Sequence, residues 1–186
     1  MFGETQHSVN VLPFFWVRLL LHLGCIIFMV NIYYIETSIP SYYYENRTDI
    51  RVRAMQEWTK QWWHLPKPNG IIQTGLPAII ELLDAPHPKN ENCLELIKDV
   101  TMLEYTDEID DIVTTYIKHK IMPNEAMGDA AHLALASFYK CDFLVTWNCK
   151  HIANANKFDH IARMNSMLGL FNPKLVTPFQ LLEEGE

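Results

Sequence analysis

The chain has 186 residues, 49% of them hydrophobic, enough to bury one sizeable core and too few to suggest two. Its formal charge of -7 at pH 7 excludes nucleic-acid binding through a broad basic surface, which needs many Lys and Arg facing phosphates. Cys25, Cys93, Cys141 and Cys149 form neither a CxxC pair nor an evenly spaced framework, which argues for a reducing compartment and against structural zinc.

Residues 11–30 (VLPFFWVRLLLHLGCIIFMV) approach bilayer-spanning length, but Arg18 and His22 interrupt them, and neither a basic leader nor an A-x-A cleavage site accompanies them. Three readings stay open: a membrane anchor, an arm packed on the domain, and upstream sequence ahead of a true start at Met29. The last is favoured, because Met29 stands just before a strand-like run and a span would leave almost no linker. The expected organisation is a hydrophobic extension over 1–28 and one domain over 29–186, with membrane contact expected only if 11–30 is a real anchor.

From Asn31 onward, short apolar runs alternate with longer amphipathic stretches, the pattern of an α/β fold with a mainly parallel sheet between helices. NIYYI at 31–35 reads as the first strand, and 49–63 as a helix without internal Pro or Gly, ended by Pro66, Pro68 and Gly70. GIIQT at 70–74 is a second strand feeding a helix over 76–83, with Pro77 in its first turn, where a missing amide proton matters little. A helix through Cys93, Leu94 and Ile97 precedes a strand-like run at 101–105, and Thr106 is placed to cap a helix through Ile109, Ile112, Val113 and Ile117. The remainder reads as an Ala-rich helix at 128–139, a buried strand at 143–147, a helix at 154–168 and a short strand at 175–176.

In open parallel sheets, ligands bind beyond the carboxyl ends of the strands, so polar residues just after each apolar run are the informative ones. Glu36 follows NIYYI, Asn148 follows FLVTW, Asp129 opens the Ala-rich helix and Glu81 lies in the helix after GIIQT. Three acids and an amide gathered there would repel one another unless a cation neutralised them, and oxygen donors suit Mg²⁺ or Mn²⁺ better than zinc. Each residue also has a plainer reading: Glu36 capping a helix from Ser38, Asp129 as a helix-start acid, Glu81 solvated, and Asn148 and His151 as turn and surface residues.

The order YIETSIPSYY, a helix with ELL, GDAAHLALA and DFLVTWNCKHIAN is similar to PIN domains, specifically the VapC-like toxins of type II toxin–antitoxin modules, over residues 30–183. The resemblance implies a three-layer α/β/α sandwich and a metal-dependent endoribonuclease. Glu36, Glu81 and Asp129 match the acids that hold metal, and Asn148 takes the place of a fourth acid. It further implies an RNA substrate, a cognate antitoxin, a homodimer and a cytoplasmic protein. Two departures stand out. Glu36 replaces a commoner Asp, moving the carboxylate outward by about 1.5 Å, and the uncharged Asn148 weakens any second metal.

Thr37, Ser38 and Thr146 are small hydroxyl residues beside strand ends, suited to orient water or a phosphate oxygen or simply to cap helices. Lys150 and His151 are placed to meet the scissile phosphate, or are an exposed loop. Arg47, Arg51 and Arg53 with Tyr42, Tyr43 and Tyr44 can guide and stack single-stranded RNA, or are a solvated helix face. Trp58 and Trp62, four apart, point to core packing or a protein interface before base stacking. The rival to a nuclease is a catalytically inactive PIN-like module that binds protein or RNA.

Overall fold

A computed structural model describes residues 30–65, 70–122, 128–150 and 152–183. Five strands, β1 (Asn31–Ile35), β2 (Gly70–Gly75), β3 (Thr101–Leu103), β4 (Phe143–Val145) and β5 (Lys174–Val176), lie in the order β3-β2-β1-β4-β5. Every pairing is parallel. Among the described residues there are eight helices: α1 (Ser38–Tyr43), α2 (Ile50–His64), α3 (Leu76–Leu83), α4 (Lys89–Ile97), α5 (Asp107–Lys118), α6 (Asp129–Phe138), α7 (Phe158–Leu168) and α8 (Pro178–Glu183).

Side chains alternate across a strand, so a sheet covered on both faces has two cores. Tyr34 of β1 and Leu144 of β4 pack with Ile109 and Tyr116 of α5, Leu135 of α6 and Ile161 of α7. Their neighbours Ile35, Phe143 and Val145 point the other way, onto Ile39 of α1, Trp62 of α2, Leu82 of α3 and Ile97 of α4. The result is the expected three-layer α/β/α sandwich. Among the described residues no helix is long and apolar enough to cross a membrane; residues 11–29, on which the anchor reading rests, lie outside them.

Local chemistry explains most boundaries. Asp49 caps α2, accepting from the amides of Arg51 at 2.9 Å and Val52 at 3.3 Å. Gly169, at φ +68°, ends α7 in the left-handed conformation that side chains resist. Gly75 lets α6 approach the sheet, since a Cβ there would stand 2.6 Å from Leu135 Cδ1. On the α5/α6/α7 face, the Tyr116 hydroxyl donates to Asn165 Oδ1 at 2.5 Å, and Asn165 Nδ2 donates to Ser137 Oγ at 3.0 Å, so the buried polar atoms of three helices satisfy one another.

Three boundaries differ from the sequence expectation by two residues or more, and one helix has no counterpart in it. The run at 101–105 is a strand only over Thr101–Leu103. The run at 143–147 ends at Val145, because the Trp147 amide leaves the sheet to donate to Ser38 Oγ at 2.8 Å. The helix expected from 154 begins at Phe158, after a 3₁₀ turn over Ala155–Lys157 capped by the Asn154 side chain. Helix α8 was not anticipated, although Thr177 and Gln180 form a reciprocal capping box: the Thr177 amide donates to Gln180 Oε1 at 2.8 Å, and the Gln180 amide to Thr177 Oγ1 at 3.4 Å.

Leu144 is fully buried in a strand paired on both sides. Leu144→Ala is expected to lower unfolding free energy by about 2–5 kcal/mol in urea denaturation. Ile50→Ala, at a side chain 82% exposed, should change it by less than about 0.5 kcal/mol.

Candidate active site at the carboxyl ends of β1 and β4

Strand order reverses at β1. The chain runs outward from β1 through β2 to β3, then returns to lay β4 and β5 on the other side. Helices α1 to α4, which follow β1 and β2, cover one face, while α5 to α7, which follow β3 and β4, cover the other. Between β1 and β4 the connections therefore diverge, leaving the crevice where such sheets bind ligands. Ile35 pairs with Val145 at this end, so the next residues, Glu36 and Thr146, stand side by side there, both buried.

Glu36 is 5% exposed. Its Oε2 accepts the Ser38 amide at 2.9 Å and its Oε1 accepts the Ser38 hydroxyl, so the helix-capping role anticipated for it is filled. Ser38 Oγ in turn accepts the Trp147 amide, which ties the start of α1 to the end of β4. Burial pushes the Glu36 carboxyl above its ordinary value of 4.5, against the opposing pull of His132, Ser38 and Thr146. Thr146, fully buried, accepts the Asn148 amide through Oγ1 at 2.8 Å. Asn148 Nδ2 donates to Asp129 Oδ1 at 2.8 Å, and Asp129 is the first residue of α6.

Glu81, half-buried on α3, joins the group through a residue the sequence reading left without a role. His132 lies three residues beyond Asp129 on α6 and is 1% exposed. Its Nδ1 is 2.9 Å from the Tyr34 hydroxyl, and its Nε2 is 3.5 Å from Glu81 Oε1, longer than an ordinary hydrogen bond. A carboxylate only accepts, so the Nε2 facing it carries the proton. Burial pushes the Glu81 carboxyl up, but His132, with help from Thr37, outweighs it and holds the group below 4.5. Thr37 Oγ1 and His132 Nε2 are both buried and lack a hydrogen bond of ordinary geometry. The available signal was a single imidazole in an otherwise apolar Ala-rich helix, one turn past the candidate acid.

Glu36, Thr37, Ser38, Glu81, Asp129, Thr146 and Asn148 thus share one end of the sheet, linked through His132 and Asn148. Lys150 is exposed in the turn after Asn148, where its carbonyl accepts from Asn154 Nδ2 at 2.9 Å. His151 lies outside the described residues. Of the basic group, Arg47 pairs with Glu45 at 2.9 Å, while Arg51 and Arg53 are exposed at the start of α2.

The donor set is all oxygen, three carboxylates and an amide, the chemistry that hard divalent cations take. A buried carboxyl held above its ordinary value is also one that a nearby cation would relieve. Hydrogen bonds to Ser38 and Asn148 and the contact of His132 with Glu81 set the spacing. Among the described residues no group of three or more His, Cys, Asp or Glu stands close enough to hold a metal ion, so these side chains would have to swing together to do so. No protein-family model matches the chain, and no curated protein matches it.

The raised Glu36 carboxyl has a stability consequence of definite sign. Below pH 4.5 it is neutral in the folded and unfolded chain alike; as pH rises through the raised folded value, the folded state must ionise a buried acid and loses stability. Unfolding free energies of wild type and Glu36→Gln, compared from pH 4 to 8, should therefore show wild type losing ground to the variant as pH rises. A difference that stays flat, or moves the opposite way, would contradict this account of the site.

Proposed function

We propose that the chain is a divalent-metal-dependent endoribonuclease that hydrolyses RNA phosphodiester bonds. The observation that carries the reading is the placement of Glu36, Thr146, Asn148 and Asp129 at the strand-order reversal of an all-parallel sheet, with Glu36 buried and short of positive charge. A Mg²⁺ or Mn²⁺ ion held by Glu36, Glu81 and Asp129 would neutralise the developing charge and acidify a water for attack on phosphorus.

The chain's own residues have definite tasks in this reading. Ser38 fixes the Glu36 carboxylate through two hydrogen bonds, and Asn148 steers Asp129. His132 holds Glu81 toward the crevice. Lys150, exposed beside Asn148, meets a phosphate oxygen on the substrate. Thr37, whose buried hydroxyl lacks an ordinary hydrogen bond, orients a water or a phosphate oxygen.

The resemblance of ETSIPSYY, GDAAHLALA and LVTWNCKHIAN to VapC-like PIN domains supports the further proposal that the protein is the cytoplasmic toxin of a type II toxin–antitoxin pair. A cognate antitoxin and a second copy of the chain are then its protein partners. Leu76, Ile80 and Leu83 of α3 are exposed at helical spacing and offer apolar surface of the kind such partners cover. The rival reading is a site that binds without turnover. It draws on the Glu36 carboxylate already being engaged by Ser38, and metal affinity separates the two.

Incubated with labelled single-stranded RNA and Mn²⁺, the full chain should cut it, and EDTA should abolish cutting. Asp129→Ala should slow it at least about 100-fold, the loss of several kcal/mol of transition-state stabilisation. Intact RNA beside folded protein that takes up no Mn²⁺ by calorimetry would sink the nuclease and leave the binding module.

A further inference from the structure

Two of the tryptophans that look equivalent in the sequence have different environments. Trp62 is 9% exposed and packs edge-on against Tyr33, with ring centroids 5.9 Å apart. Trp58, four residues earlier on α2, stays half-exposed and stacks on Trp147 at 6.2 Å with 27° between planes. Tyr42 of α1 meets Trp147 at 6.0 Å, and Phe179 of α8 meets Trp58 at 4.4 Å. The four rings form a continuous, half-exposed row.

The row begins at the acidic site. Trp147 is the residue between Thr146, whose hydroxyl helps lower the Glu36 carboxyl, and Asn148, which holds Asp129. Its ring is fixed in advance: Nε1 donates to Thr59 Oγ1 at 2.7 Å, and the backbone amide donates to Ser38 Oγ at 2.8 Å. Thr59 is itself tied to the Met55 carbonyl at 2.7 Å. Surface that is already ordered loses little entropy when a ligand covers it. Arg51, exposed on α2 seven residues before Trp58, shares that helical face about 10 Å farther along.

We propose that Tyr42, Trp147, Trp58 and Phe179 are a stacking surface for the bases of single-stranded RNA, leading the strand into the acidic crevice. The inference deepens the nuclease reading and rests on it for the identity of the ligand. A chain of charge -7 cannot draw RNA in by a broad basic field, so most of the affinity must come from contacts other than those to phosphate. Base–aromatic stacking is such a contact, and it tolerates any sequence because every base has a π face. A duplex keeps its base faces covered and cannot use the row. With Arg51, Arg53 and Lys150 as exposed cations near the row, the slope of log affinity against log salt should be no steeper than about -2.

The test is fluorescence anisotropy of a short labelled single-stranded RNA of mixed sequence with the full chain in EDTA, where nothing is cut. Binding is expected, at least about tenfold weaker for the same sequence as a duplex. Trp58→Leu and Tyr42→Leu should each weaken it roughly 5- to 100-fold, while Trp58→Phe keeps most of it. Thermal unfolding identifies a variant that has not folded, and Tyr42→Leu carries the test if Trp58→Leu does not fold. Unchanged affinity in folded variants, equal binding of duplex, or no RNA binding would overturn the proposal. Self-association through this face without RNA binding would mark a protein contact and overturn it too. RNA that binds in EDTA yet is never cut with Mn²⁺ would remove the nuclease and leave the stacking surface. RNA that is cut while both variants bind as wild type would do the reverse.

Discussion

Strand β1 is flanked by β2 on one side and β4 on the other, and both pairings are parallel. Parallel neighbours cannot be joined by a tight hairpin, so each connection must cross a face of the sheet and bring a helix with it. The first two connections take one face and the next two the other. With strand order reversing at β1, the chain is drawn away to opposite sides beyond Ile35 and Val145. What stands at that end of the sheet is a pair of buried polar residues, Glu36 and Thr146, the first to follow β1 and β4.

A carboxylate in such a place needs help. Glu36 receives it from Ser38, from Thr146 and from the imidazole of His132, and together they fall short of the cost of burial, so its carboxyl stays above its ordinary value. Glu81 faces the same imidazole from a half-exposed helix, and there the imidazole wins. Burial raises both acids; in Glu36 it prevails, and in half-exposed Glu81 the contacts with His132 and Thr37 outweigh it. Tyr34 completes the arrangement from the opposite nitrogen, 2.9 Å from Nδ1. Its own hydroxyl is held protonated, chiefly by burial.

Much of the architecture could be read in advance because the sheet is central. NIYYI and GIIQT lie in a sheet covered on both faces, so they appear as mainly β-branched and aromatic runs without polar alternation. The placement of Glu36, Asp129 and Asn148 followed from the same logic, each standing at the end of an apolar run or the start of a helix. What the sequence hid were interactions between distant segments. The early end of β4 depends on Ser38 Oγ, 109 residues away, taking the Trp147 amide. His132 resembled a core histidine in an Ala-rich helix until Glu81 and Tyr34 were seen on either side of it. Trp58 and Trp62 shared one reading, and only the arrival of Trp147 separates the buried ring from the half-exposed one. Helix α8 is a different case: its capping box, Thr177 to Gln180, is local to the sequence.

The central proposal is that Glu36, Glu81, Asp129 and Asn148 come together around a divalent cation. Paramagnetic broadening of backbone amide resonances by substoichiometric Mn²⁺ reads this location directly, whether or not RNA is cut. The account predicts broadening that is strongest at the amides of 36–38, 81, 129–132 and 146–148, falls off with distance from them, and is reversed by EDTA. Sharp resonances at those positions, with broadening elsewhere or nowhere, would contradict it.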